Sequence, residues 1–400
     1  MSAAGASSVD PKVLEMRKLM AERYRQTPAS EKPHIRECSE CKKPVYASEV
    51  CAVTGRYHDL DKKKIIGGTL VDADQKKVTG SDLVKAIDGV RVKWQAARTV
   101  KVQVDADSAA IFQTFVLQRQ WKLQRFGIMY GTFDSASNAV TVHSVYEPEQ
   151  RGVGESSFEV LPDAREEKVD RLAALLGLSR VGIMITHPAR HSDEMILSGR
   201  EIMLLAREQS RFGDHCVCVA IAPNPETKEI NAQAWQASEQ CVHLYRIGLL
   251  SEHPSDVRFC HSSQPLELAQ DEVDAKGKKQ CIIKEPSHSV DCRWMIGYCA
   301  VESMTSSIVS SRFMRISRPG EAPPTLTNLQ NFLKDPKRKD KKFVEKLSDF
   351  HVLVFLTEHL FDIKSDMPLI CDAVVRRDNE PVAAFEELIN AHIDAAKAGY

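Results

Sequence analysis

The chain lacks any apolar run approaching the roughly 18 to 20 residues of a membrane-spanning helix. Residues 1–10, MSAAGASSVD, are small and polar and offer no apolar core for a secretory signal. An excess of charge of one sign is lacking too. The 54 Lys and Arg stand against 55 Asp and Glu, a net charge of −1, so no global field favours nucleic acid or an anionic membrane. No P-loop, no GxGxxG and no Ser-His-Asp arrangement offers phosphate-cradling or nucleophilic chemistry. The expectation is a protein of the cytosol or nucleus, held to a membrane only through partners.

The 400 residues exceed one small core, and two or three domains are expected. Eleven cysteines form an odd, scattered set with one close cluster. In a reducing compartment most read as buried thiols, and only the cluster invites a metal.

That cluster lies near the start. Residues 1–33 hold a helical piece, with Val13, Met16, Leu19 and Met20 at helical spacing. Then comes HIRECSECKKPVYASEVCAVTGRYHDLD. Cys38-x-x-Cys41 is a tight turn that lets two thiolates meet one tetrahedral zinc at about 2.3 Å each. His58 follows, with Asp61 three residues beyond it. The stretch resembles the first half of a LIM domain. Where that family has further cysteines this chain has Asp61, Lys64 and Gly67, so the second zinc is expected to be lost. One structural zinc is expected on Cys38, Cys41, His58 and Asp61, with Cys51 competing for the fourth place. A metal-free segment with plain thiols is the alternative.

From Thr99 the pattern reads helix, hairpin, helix, strand, helix, hairpin. TVKVQV and RFGIMYGTF are strands around a helix expected over 108–123, and AVTVHSVYEP is the returning strand. EEKVDRLAALL is a helix closed by Gly177. The strand Val181–Ile185 leads through a His-bearing loop to a helix opening at Ser198. Another helix is expected over 238–250. CIIKE, VDCRWMIGYCAVESM and SSIVSSRFMRIS read as strands of an antiparallel insertion, and the chain turns helical from Thr325. DPKRKDKK, residues 335–342, is a solvated basic run, with a patch for an acidic partner as the sharper alternative.

Arg180 to Glu201, RVGIMITHPARHSDEMILSGRE, is where chemistry would sit. A zinc isopeptidase of the JAMM type needs two His and an Asp on one metal, and an upstream Glu to deprotonate the metal-bound water. This chain resembles the frame of that domain, called MPN, in three places. Gln124 stands where the Glu is expected, before RFGIMYG. Ile185 occupies the place of the first His, and His187-Pro188 keeps the second. Ser198 is kept and Glu201 replaces the Asp. An amide cannot accept the proton and Ile185 cannot ligate, so no hydrolase activity is expected. Ser198 and Glu201 also fit a plain capping box.

Several motifs in order resemble the nuclear protein localization protein four family over roughly 300 residues: FGIMYGTF with VTVHSVYEPEQRG (Glu149 replacing a proline), EEKVDRLAALLGLSRVGIMIT, ILSGREIMLLA, AWQASEQCVHLYRIGLL and LSDFHVLVFL. The resemblance implies a non-enzymatic adaptor. It would bind ubiquitin and polyubiquitin chains and deliver modified proteins to the hexameric AAA ATPase valosin-containing protein. It would act with ubiquitin fusion degradation protein one, in proteasomal and ER-associated degradation, in cytoplasm and nucleus and peripherally at the endoplasmic reticulum. A JAMM-type deubiquitinase and a LIM-type scaffold are the alternatives. The family's N-terminal ubiquitin-like domain is not found ahead of the zinc segment, so docking is expected to rest on the zinc element, the N-terminal helix or the partner. The expected fold is α+β: an N-terminal helix and tail (1–33), the LIM-like zinc segment (34–98), an inactive MPN-like α/β/α sandwich (99–250), a β-rich insertion and linker (251–324), and a helical C-terminal region (325–400).

Overall fold

A computed structural model describes residues 64–66, 69–71, 90–191, 196–273 and 279–397. The chain divides into two units, Met1–Val90 and Arg91–Tyr400. In the first, β1 (Lys64–Ile66) pairs antiparallel with β2 (Thr69–Val71). Cys38, Cys41, Cys51, His58 and Asp61 lie outside the described residues, as does the N-terminal helical piece.

The second unit is mixed α and β. After β3 (Val90–Lys93) come β4 (Lys101–Asp105), α1 (Ala106–Gln118), β5 (Phe126–Asp134), β6 (Ala139–Tyr146), and the small ribbon of β7 (Gln150–Val153) and β8 (Ser157–Val160). Then follow α2 (Glu166–Leu175), β9 (Ser179–Thr186), α3 (Gly199–Phe212), β10 (Val217–Pro223), β11 (Ile230–Ala237) and α4 (Glu239–Arg246). A short β12 (Leu250–Glu252) leads to a long hairpin, β13 (Phe259–Val273) and β14 (Lys279–Asp291), and then β15 (Ile296–Met304). Five helices follow: α5 (Leu326–Leu333), α6 (Phe343–Leu347), α7 (Phe350–His359), α8 (Met367–Arg376) and α9 (Ala383–Lys397).

Seven strands close on themselves in the order β10-β11-β15-β4-β6-β5-β9, with β9 and β10 pairing in parallel to seal the ring. The sequence predicts an α/β/α sandwich, and the closure of its sheet into a ring goes beyond that expectation. It arises because both faces of these strands are apolar, so each alternate residue needs its own core. One set, including Val102, Met129, Val142, Met184, Val219 and Cys299, comes from strands all round the ring and lines its interior, with Phe112 of α1 packed among them. The alternating set, including Ile128, Ile183, Ile185 and Cys218, faces outward into the core shared with α2, α3, α4 and the C-terminal helices. Closure requires a close approach at Gly182, whose φ is +140°. A Cβ there would lie 1.9 Å from the Val217 carbonyl oxygen.

Three local expectations change. The helix expected over 108–123 stops at Gln118, because Gln120 and Trp121 adopt left-handed backbone (φ 53° and 61°) to turn the chain into β5. The helix expected over 238–250 ends at Arg246, and Gly248 at φ 72° redirects it into β12. The strands expected after residue 251 divide. The hairpin forms its own sheet with β12 and β3, while β15 inserts between β11 and β4 in the ring. A 3-10 turn, Cys292–Met295, capped by the Asp291 carboxylate, separates the two. SSIVSSRFMRIS forms no strand. It is a strap held by one bridge, Ser310 to Asp349, and by side chains.

Candidate functional site

The Arg180–Glu201 crossing lies at the open end of β9, where β5 and α3 meet. Val181–Ile185 falls inside β9, which is buried because it has neighbours on both edges. Ile185 is fully buried, opposite Phe126 on one side and Ala220 on the other. Its place as a core residue of the ring leaves it no contact with solvent.

Gln124, just before β5, is buried and saturated. Its amide nitrogen donates to the carbonyls of Trp121 (2.5 Å) and Glu155 (2.9 Å). Its amide oxygen accepts from the Thr186 hydroxyl at 2.9 Å, and that hydroxyl accepts from the Arg125 amide at 2.8 Å. A residue that must donate twice and accept once is an amide and not a carboxylate. Gln124 therefore ties the left-handed turn, the β7–β8 ribbon and the end of β9 together.

His187 is also buried. Its Nδ1 sits 2.7 Å from the Pro188 carbonyl oxygen and so carries the proton. Burial, helped by the nearby Arg190 charge, lowers its pKa to about 4, so the ring is neutral at physiological pH. Ser198 caps α3 by accepting from the Glu201 amide at 3.3 Å, and the Glu201 carboxylate accepts from the Ser198 amide at 2.7 Å, a full capping box. The same carboxylate receives both Nη atoms of Arg190, at 2.8 and 3.0 Å. Burial raises the Glu201 pKa, but the Arg190 guanidinium outweighs it and the group stays ionised below the ordinary range. Gly199 lets α3 start against the hairpin: a Cβ there would meet the Phe259 carbonyl oxygen at 2.5 Å.

Five positions singled out by sequence thus meet around one crossing, but each is spoken for. Gln124 donates, Ile185 packs, His187 is a neutral buried ring, and Ser198 and Glu201 cap a helix. Among the described residues no group of three or more His, Cys, Asp or Glu is arranged to hold a metal ion. Arg190 was not singled out. Its only signal was a basic residue in a loop beside a buried acid, which no periodicity marks.

A second buried network was also missed. The Glu147 carboxylate is buried and faces three arginines: Arg125 (2.8 and 3.1 Å), Arg318 (3.0 Å to Nε) and Arg315 (3.8 Å). Burial pushes this carboxyl up, but the three cations outweigh it and hold its pKa below the ordinary value. Arg315 belongs to the strap and Arg318 directly follows it, so this network fastens residues 311–318 to the ring. Glu149, which stands where the resembled signature carries a proline, accepts from the Ser317 hydroxyl at 2.7 Å and pairs with Arg165.

The other motifs are junctions as well. In SDFH, the buried Asp349 carboxylate accepts from the Ser310 hydroxyl and from the amides of Arg312, Phe313, His351 and Val352. His351 reaches the Val145 carbonyl at 3.1 Å. In AWQASEQC, Gln236 accepts from the amides of Arg98 and Thr99, and Ser238 caps α4. In YEPEQ, Gln150 exchanges two hydrogen bonds with the backbone of Phe126, at 2.8 and 2.7 Å.

A seven-stranded ring, a helical C-terminal region latched to it and a crossing where Gln124, Ser198, Glu201 and Arg190 are paired with one another or with neighbouring groups define a mixed α+β fold. Residues 125–264 match the sequence model of the NPL4 family. The chain is 29% identical over 295 residues to the nuclear protein localization protein 4 homolog of Dictyostelium discoideum, covering 72% of this chain and 47% of that protein. It is 29% identical over 287 residues to an NPL4-like protein of Oryza sativa (69% and 65% covered), and 23% identical over 296 residues to the human nuclear protein localization protein 4 homolog (64% and 48% covered). The chain resembles the NPL4 family over residues 125–264. It spans about half the length of the Dictyostelium and human relatives that it matches.

Proposed function

We propose that this chain is a non-enzymatic adaptor. It binds polyubiquitinated proteins and delivers them to the AAA ATPase valosin-containing protein, acting with ubiquitin fusion degradation protein one, in proteasomal and ER-associated degradation. On this reading the ring and its Arg180–Glu201 crossing are an MPN-type frame turned to structural use. The observation that carries the reading is the pairing of Arg190 with Glu201 beside Gln124. Metal-assisted hydrolysis needs a carboxylate free to ligate and a base free to take a proton. Here the carboxylate is held by a guanidinium and by the Ser198 amide of the helix cap, and the base position is an amide already donating twice. The match of residues 125–264 to the NPL4 family model and the likeness to nuclear protein localization protein 4 homologs support the adaptor role over the deubiquitinase and scaffold alternatives.

The reading includes one structural zinc on Cys38, Cys41, His58 and Asp61 or Cys51, since the Cys-x-x-Cys turn supplies two thiolates to a closed tetrahedral site. It also places the protein in cytoplasm and nucleus, reaching the endoplasmic reticulum through partners; no described helix is long and apolar enough to cross a membrane. The test is a pulldown with the full chain as bait. Polyubiquitin and the ATPase are expected to be retained, with no release of free ubiquitin from the chains. Loss of both interactions overturns the reading.

A further inference from the structure

The turn between α5 and α6 carries an unneutralised charge on a fixed frame. Residues 334–346 read KDPKRKDKKFVEK: seven cationic side chains against three acidic, a surplus of four. Lys334, Lys337, Lys339, Lys341 and Lys342 are exposed and Lys346 is half-buried. Among the described residues none of these six makes an ion pair, whereas Lys101, Lys122, Lys168 and Lys397 each find a carboxylate. Two of the three local acids are engaged by the backbone. The Asp335 carboxylate accepts from the Lys337 amide at 2.9 Å, and Glu345 accepts from the Lys342 amide at 3.0 Å.

The display is also held in place. Arg338 is buried, with its guanidinium 3.8 Å from the centroid of Phe332 in α5. The amides of Arg338, Lys339 and Lys341 close successive turns onto Asp335, Pro336 and Arg338. A solvated basic run needs no such anchor, because free lysines gain entropy by moving. Here the one arginine is turned inward to pin the loop and the lysines are turned outward.

We propose that this loop is a docking surface for a short Asp- and Glu-rich segment of another polypeptide. Lysine ammonium groups are compact point charges that accept scattered carboxylates without a fixed fork geometry. Single-stranded nucleic acid would want aromatic faces beside the cations. Phe332 is covered by Arg338, and Phe343 is buried, so the loop presents none. An anionic membrane would want an apolar helix face next to the charge. Phe343, Val344 and Leu347 of α6 are turned into the core instead.

The experiment is fluorescence anisotropy of a labelled ten-residue Glu-rich peptide titrated with the full chain. The expected result is saturable binding that weakens as salt rises toward a Debye length of about 8 Å at physiological ionic strength. K337E/K339E/K341E should weaken it roughly tenfold or more, as three exposed pairs become repulsions. K228E/K364E/K397E changes net charge equally elsewhere and should leave binding within about twofold. Coincident thermal unfolding of both variants shows that neither has lost the fold. No binding of the peptide, an equal loss in the second variant, or tighter binding of single-stranded RNA or of phosphatidylserine vesicles each overturns the proposal.

Discussion

Restoring an acid at position 124 should destabilise the protein, not revive it. In Gln124→Glu the carboxylate would face the carbonyls of Trp121 and Glu155, the two groups to which the amide now donates. Both lose their donor in a part-buried place, at about 1 kcal/mol or more each, so a loss of about 2 kcal/mol is expected at neutral pH. The protonated acid can donate once and recovers part of this. The variant's folded pKa is therefore raised above its unfolded value near 4.3. A raised acid ionises first in the unfolded chain. The defect is then smallest at or below about pH 4.3 and grows with pH by up to about 1.4 kcal/mol per unit until the folded pKa is passed. Urea denaturation at pH 5 and pH 8, followed by tryptophan fluorescence, measures it. Equal stability of variant and wild type at pH 8, or a defect that shrinks as pH rises, would refute the structural role assigned to Gln124.

Glu147→Gln leaves three buried guanidiniums without their shared carboxylate and should cost about 3 to 5 kcal/mol in the same assay. In the wild type this carboxyl is depressed, so its contribution is full above about pH 4.5 and is lost only as pH falls through its folded value. His187 works from the other side. Neutral when folded, with a pKa of about 4 against about 6.5 unfolded, it should remove on the order of 3 kcal/mol as pH falls from 6.5 to 4. His187→Gln should flatten that limb of the stability–pH curve, and an unchanged limb would show the ring is not buried neutral. Elemental analysis should find about one zinc per chain, lost in the Cys38→Ser, Cys41→Ser variant; zinc that persists in that variant places the metal elsewhere.

What the sequence made legible was local. Alternation marked β4 and β6, continuous apolar runs marked β5 and β9, and the Ser198 to Glu201 spacing marked a capping box, because these signals need only neighbours in the chain. The position of Ile185 in a buried run already denied it a ligand's role. The failures are long-range. Nothing near Ile296 announces that β15 will leave the hairpin and complete a ring with β11 and β4. Arg315 and Arg318 look like surface arginines in a polar stretch until Glu147, some 170 residues earlier, comes beside them. Arg190 is hidden for the same reason. Its partner is fixed by where α3 begins, which depends on Gly199 meeting the hairpin. A strap whose hydrogen bonds go to a distant carboxylate, Asp349, mimics a strand in composition and has none of its ladder.

The central claim is that the crossing supports a binding protein and no longer cleaves. It is tested by incubating the full chain with polyubiquitin of defined linkages while retention and free ubiquitin are read from the same sample. Chains held on the protein, with no ubiquitin released over hours, are the predicted result. Release of free ubiquitin that is lost on chelation and in His187→Ala would contradict it.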